Sequence, residues 1–221
     1  MLMGLPVLYY IAIFCIVIVP VVGSFRTKHL TQEFRLLLIF FWFDAVLELF
    51  QLKMAFLHVN NLWTSHIYHL VEFSVFVWVL SRWENNNAMK RMMWSVILAY
   101  AVFWAASKLT FEPIMKGGSA TSVISHIFFV FFSLRLLHIL GGGRGQILFS
   151  SRFWFLSGLL IYSSGDILIY GLRSTIDRMS MQSYDLIWQF HLLVNIISCV
   201  LFAASFLVSV ESTNDNRMPE P

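Results

Sequence analysis

Apolar runs recur along this sequence at the length of a bilayer crossing. Seven of them, near residues 4–23, 36–57, 62–81, 92–110, 120–140, 153–172 and 186–210, each hold roughly 18 to 25 mostly apolar residues. A helix rises 1.5 Å per residue, so such a run crosses about 30 Å of hydrocarbon. Inside lipid the backbone must satisfy its own hydrogen bonds, and a single segment does so only as a helix. The runs take up most of the 221 residues, and with 58% hydrophobic and 12% charged side chains there is too little polar surface to cover a soluble globule. The expectation is an all-α polytopic membrane protein: a seven-helix transmembrane domain over residues 1–210 and a short, polar, disordered cytoplasmic tail over 211–221.

The basic residues are distributed unevenly between the connectors. Arg26, Lys28, Arg35, Arg82, Lys90, Arg91, Arg144, Arg152 and Arg217 fall on one side, against Lys116, Arg173 and Arg178 on the other. By the positive-inside rule this bias predicts an external N-terminus and a cytoplasmic C-terminus. The first run has no basic start and no small-residue cleavage site, so it reads as a retained helix rather than a signal peptide. Cys15 and Cys199 lie within apolar runs without metal-type spacing and read as packing residues. Trp63, Trp83, Trp94, Trp154 and Trp188 stand near the ends of runs, where interfacial anchors are expected. The basic residues form no stripe, and no nucleic-acid partner is indicated.

Ionisable residues interrupt this apolar pattern, most densely between Asn60 and Trp83. At 100° per residue, Ser65, His69 and Glu72 fall within about 60° of one another, with His66 about 60° to the side. Such groups cost several kcal/mol in a membrane helix unless paired, which marks them as functional candidates. Other helices repeat the arrangement. Asp44, Glu48 and Gln51 share a face of the second run, and Ser122, His126 and Ser133 one of the fifth. Tyr162, Ser163, Asp166 and Tyr170 lie together on the sixth, Trp188, His191, Asn195 and Ser198 on the seventh. Counting residues inward from the run ends places these groups in the same outer half of the bilayer. Gly158 and Gly165 on the sixth run permit close helix approach.

The expected site is therefore a polar cavity carried by His66, His69, Glu72, Glu48, Asp166 and His191, with His126 and Asn195 in support. Glu72, nearest the midplane, is the expected ionisable switch. The sequence names no cofactor. Retinal needs a buried lysine, and after Lys116 the chain contains none. Haem b would need facing histidines, for which His126 and His191, or either with His66, are the candidates. Zinc would suit three histidines and a carboxylate. Seven-helix hydrolases of the ceramidase and adiponectin-receptor type are built that way, but the late HxxxH of those families is here His191 followed by Asn195.

The elements Asn60-Asn61-Leu62, His66-Ile67-Tyr68 and Glu72-Phe73 resemble those of an uncharacterised group of small seven-helix bacterial membrane proteins. So do Phe153-Trp154, Ser157-Gly158, Ile161-Tyr162, Gly165 and the pattern Trp188, His191, Asn195. Members of that group are often encoded beside, or fused to, sensor histidine kinases. The resemblance implies a sensory or ligand-binding module in a bacterial inner membrane, signalling to a cytoplasmic partner such as a histidine kinase supplied in trans. The alternatives are an intramembrane metal-dependent lipid hydrolase and a haem b cytochrome.

Overall fold

The computed structural model describes residues 7–115, 120–142, 147–176 and 180–208. The expected tail over 211–221 and the glycines at 117, 118 and 143 lie outside them. Among the described residues there are helices and no strands. Seven long helices follow in order: α1 (Val7–Ser24), α2 (Gln32–Phe56), α3 (Leu62–Trp83), α4 (Asn87–Thr110), α5 (Ala120–Gly141), α6 (Ser151–Gly171) and α7 (Met181–Val208). Short turns of helix at Thr27–His29, Ile147–Phe149 and Arg173–Ile176 lie between them.

Five of the seven, α1, α4, α5, α6 and the Ser183–Val208 part of α7, are long and apolar enough to cross a membrane. The chain is a helical membrane protein. The other two, α2 and α3, are the helices carrying Asp44, Glu48 and Lys53, and His66, His69 and Glu72. Several helices extend beyond the apolar windows. Backbone bonding continues into polar residues until a cap stops it, so α4 begins at Asn87 because the Asn86 side chain accepts from the N–H groups of Ala88 and Met89 at 2.8 and 3.2 Å. At the end of α2 the chain turns through His58 at φ 54°, and the Val59 N–H closes back on the Met54 carbonyl at 3.0 Å, a Schellman stop.

Packing contacts run α1 to α2, α2 to α3, α3 to α5, α5 to α6, α6 to α7 and α7 back to α1. Six helices thus close a ring, and α4 sits outside it against α3 and α5. Gly158 and Gly165 bring α6 onto α7: a Cβ at Gly158 would meet the Phe202 ring at 3.0 Å, and one at Gly165 would meet Val194 Cγ1 at 2.6 Å.

The ring interior has two halves. Towards the C-terminal end of α3 it is aromatic: Phe40 and Phe76 lie 4.8 Å apart, Phe41 and Phe202 5.1 Å, Phe155 and Phe202 5.3 Å, and Trp83 and Phe155 5.4 Å. Trp83 is only 5% exposed, so it is a core residue rather than the interfacial anchor its position in the run suggested. Its partners come from α2 and α6, which sequence position alone does not reveal. Towards the N-terminal end of α3 the interior is polar.

Candidate functional site: a buried carboxylate and histidine cluster

Helix α3 supplies the first part of the cluster through helical spacing. His69 Nδ1 stands 3.3 Å from Glu72 Oε2, three residues on, and the Tyr68 hydroxyl donates to Glu72 Oε1 at 3.2 Å, four residues on. Glu72 is fully buried. The Tyr68 hydroxyl also interacts with Asp44 of α2 and Tyr162 of α6.

The second part is centred on Asp166 of α6. Its Oδ2 lies 3.1 Å from Nε2 of His126 on α5, and its Oδ1 lies 3.4 Å from Nδ1 of His191 on α7. The Asn195 amide completes this side, 3.2 Å from His191 Nε2. Histidine rings join the two parts. His69 and His126 pack edge to face with centroids 6.0 Å apart, and Tyr170 lies against both, at 5.6 and 6.3 Å. Among the described residues the ion pairs of Glu72 and Asp166 are made with histidines alone. Lys108 of α4 is held instead by Glu112 at 2.7 Å.

His69, Glu72, His126, Asp166, His191 and Asn195 therefore form one contiguous cluster from four helices. His126, expected in a supporting place, stands at its centre. His66 is buried on α3, where its carbonyl accepts from the Trp104 indole of α4 at 3.0 Å. Glu48 is half-buried on α2 and interacts electrostatically with Asp44 and with Tyr9 of α1. Asp44 and Tyr170 were legible from sequence only as members of polar helix faces, not as site residues, and Tyr68 was not placed on one. Tyr68 was within reach of that reasoning, since it precedes Glu72 by one helical turn.

Glu72 also borders a cavity of about 50 Å³ between the two halves, with Asp44, Tyr68, Tyr162 and Asn195 on its polar side and Phe40, Phe41, Phe76 and Phe202 on its apolar side. That is room for one or two water molecules, and far below the several hundred Å³ of a pocket for a lipid headgroup. His126 and His191 meet through the single carboxylate of Asp166, which fills the space a porphyrin plane between them would need. The arrangement fits an ion or a water-sized ligand.

Two further links tie the bundle at its ends. Glu112 accepts from the Ala120 N–H at 2.9 Å, from the Thr121 hydroxyl at 2.6 Å and from Lys108, pinning the start of α5 to the end of α4. At the opposite end Glu84, which caps α3, takes Arg135 of α5 at 2.7 Å and the Asn86 N–H at 2.9 Å. Burial pushes the Glu84 carboxyl up, but these two partners outweigh it and hold the group below the usual carboxylate range.

No protein-family model, curated protein or solved structure matches this chain. The chemistry of the cluster is the basis for a functional reading.

Proposed function

We propose that this chain is a sensory or ligand-binding module of a bacterial inner membrane, with seven spanning helices, an external N-terminus and a cytoplasmic C-terminus. Its polar cluster, in the outer half of the bundle, takes a cation or water-sized ligand and biases a helix arrangement read by a cytoplasmic partner such as a histidine kinase. One observation carries this reading: buried ionisable side chains of α3, α5, α6 and α7 meet in one contact network. A ligand held there touches several helices at once, and its differential affinity for two arrangements shifts their populations.

A route to the far end exists in α3 and α5. Glu72 lies on α3 and Glu84 caps its end, His126 and Arg135 share α5, and the Glu84–Arg135 link joins the two helices again. Glu84 follows Glu72 by twelve positions, a rise of about 18 Å along the rod. A shift of α3 against α5 at the cluster is therefore felt at that link.

Hydrogen–deuterium exchange of the protein in lipid nanodiscs tests the reading. Neutralising the cluster with Glu72→Gln or Asp166→Asn should change exchange in the connector that follows Glu84, at residues 84–89, as well as beside the cluster. A change confined to the polar half would sink the signalling role. A reporter fused after Pro221 should work only as a cytoplasmic fusion; activity of an exported reporter there would reverse the topology.

A further inference from the structure

We propose that His69, Glu72 and His126 are the ligands of a divalent first-row transition ion, zinc first among them. This deepens the reading of the cluster as a binding site and rests on it.

The geometry comes first. These three side chains each offer a ligand atom, and the three atoms lie within 4.8 Å of one another. Tetrahedral coordination with bonds of about 2.0 to 2.2 Å places ligand atoms roughly 3.4 Å apart. His69 Nδ1 and Glu72 Oε2 already stand at 3.3 Å. Closing the set on His126 needs a side-chain movement on the order of 1 Å.

Donor chemistry selects the ion. Two imidazoles and one carboxylate suit zinc, iron, nickel or copper, whereas magnesium and calcium favour all-oxygen cages. Unused valence is a separate observation. Both ring nitrogens of fully buried His126, together with Asp166 Oδ1 and His191 Nδ1, make no hydrogen bond of acceptable angle. Buried polar atoms in that condition are rare and costly, and coordination of His126 would remove part of the cost.

Asp166 has a different part. It stands 3.1 Å from His126 and 3.4 Å from His191, where small ring rotations on metal binding would let it accept from both, as carboxylates beside metal-bound histidines do. The cavity beside Glu72 has room for a water as a further ligand. This set differs from the three-histidine site weighed from sequence, since His66 and His191 are not ligands in it.

The experiment uses the whole protein, purified with a tag free of histidine, exposed to Zn²⁺ and then desalted. Elemental analysis should find one zinc per chain, and iron or copper at the same ratio would equally support the site. His69→Ala should lose the metal, Asp166→Asn should bind roughly 10- to 100-fold more weakly, and Glu48→Gln should keep it. Because truncation at His69 risks misfolding, His126→Cys is the second variant: loaded with Co²⁺, it should gain a near-ultraviolet thiolate-to-cobalt band absent from the wild type. Less than a tenth of an equivalent in the wild type, retention of metal by His69→Ala, or no new band in His126→Cys overturns the proposal. The two readings separate cleanly. Absent metal with altered exchange at residues 84–89 in Glu72→Gln removes the metal site and leaves the sensory module. Bound metal with unaltered exchange does the reverse.

Discussion

Along α3 the buried face changes character at Phe73. Beyond it Phe73, Phe76, Val77, Leu80 and Trp83 enter an interior of rings in contact, whereas before it Thr64, His66, His69 and Glu72 enter one of ion pairs, unsatisfied nitrogens and a small cavity. The aromatic half gains dispersion energy from close packing, which is what holds helices together where lipid is as apolar as the side chains. The polar half gains little. A buried ion pair is often no more stable than well-packed apolar residues of the same volume, so a fold shaped by stability alone has no need of Glu72 and Asp166 there. The difference teaches that one half is favoured by packing, whereas the other holds ionisable groups that packing alone does not call for.

The strongest challenge to that division is Phe76→Ala. Phe76 is 1% exposed and meets the rings of Phe40, Phe41, Phe129 and Phe155, so its removal should cost about 3 to 5 kcal/mol in a denaturant titration of the detergent-solubilised protein. A loss below about 1 kcal/mol would mean that the aromatic half is not the source of stability. Next comes the close approach that sets Asp166 beside His191. Gly165→Ala places a methyl against Val194 and should cost about 1 to 3 kcal/mol, much of it recovered by adding Val194→Ala. Failure of the second change to restore stability would show that the helices do not pack through this pair.

A smaller effect is expected at the Glu84–Arg135 link, read through pH. Because the Glu84 carboxyl is held below its usual range, its contribution is present above the unfolded value, near pH 4.3, and is lost as pH falls through the lower folded value. Arg135 is about one-third exposed, so solvent screening keeps the contribution small. Glu84→Gln should flatten the acid limb of the stability profile, and an unchanged limb would remove the link from the account. The smallest expected change in stability is the most informative. Glu72→Gln should alter stability by less than about 1 kcal/mol, or raise it, while abolishing metal binding. A loss above about 3 kcal/mol would make the polar half structural glue rather than a site.

How much of this was legible beforehand differs between fold and cluster. Seven long helices stand where the apolar runs were read, and five of them are long and apolar enough to cross a membrane. The polar faces of α3, α6 and α7 could be read from the spacing of His69 and Glu72, of Tyr162, Asp166 and Tyr170, and of His191 and Asn195, because a helix fixes the angle between residues three and four apart. Glu48 and Asp44 show where that reasoning stops. One turn apart on α2, they looked equivalent, yet Asp44 lines the cavity beside Glu72 and Glu48 does not. The rotation of α2 about its own axis chooses between them, and no local spacing encodes that rotation. Trp83 failed as an interfacial anchor for the same reason.

By itself the sequence determined that the chain is helical, that it belongs in a membrane, and which helix faces hold ionisable residues, since hydrophobic length and residue spacing are local properties. Only the tertiary structure decided that α4 stands outside a ring of six, that Asp166 faces two histidines from different helices, and that His126 comes to His69 and Glu72. Those outcomes depend on helix order, rotation and close approach at Gly158 and Gly165, which arise from packing between segments far apart in the chain.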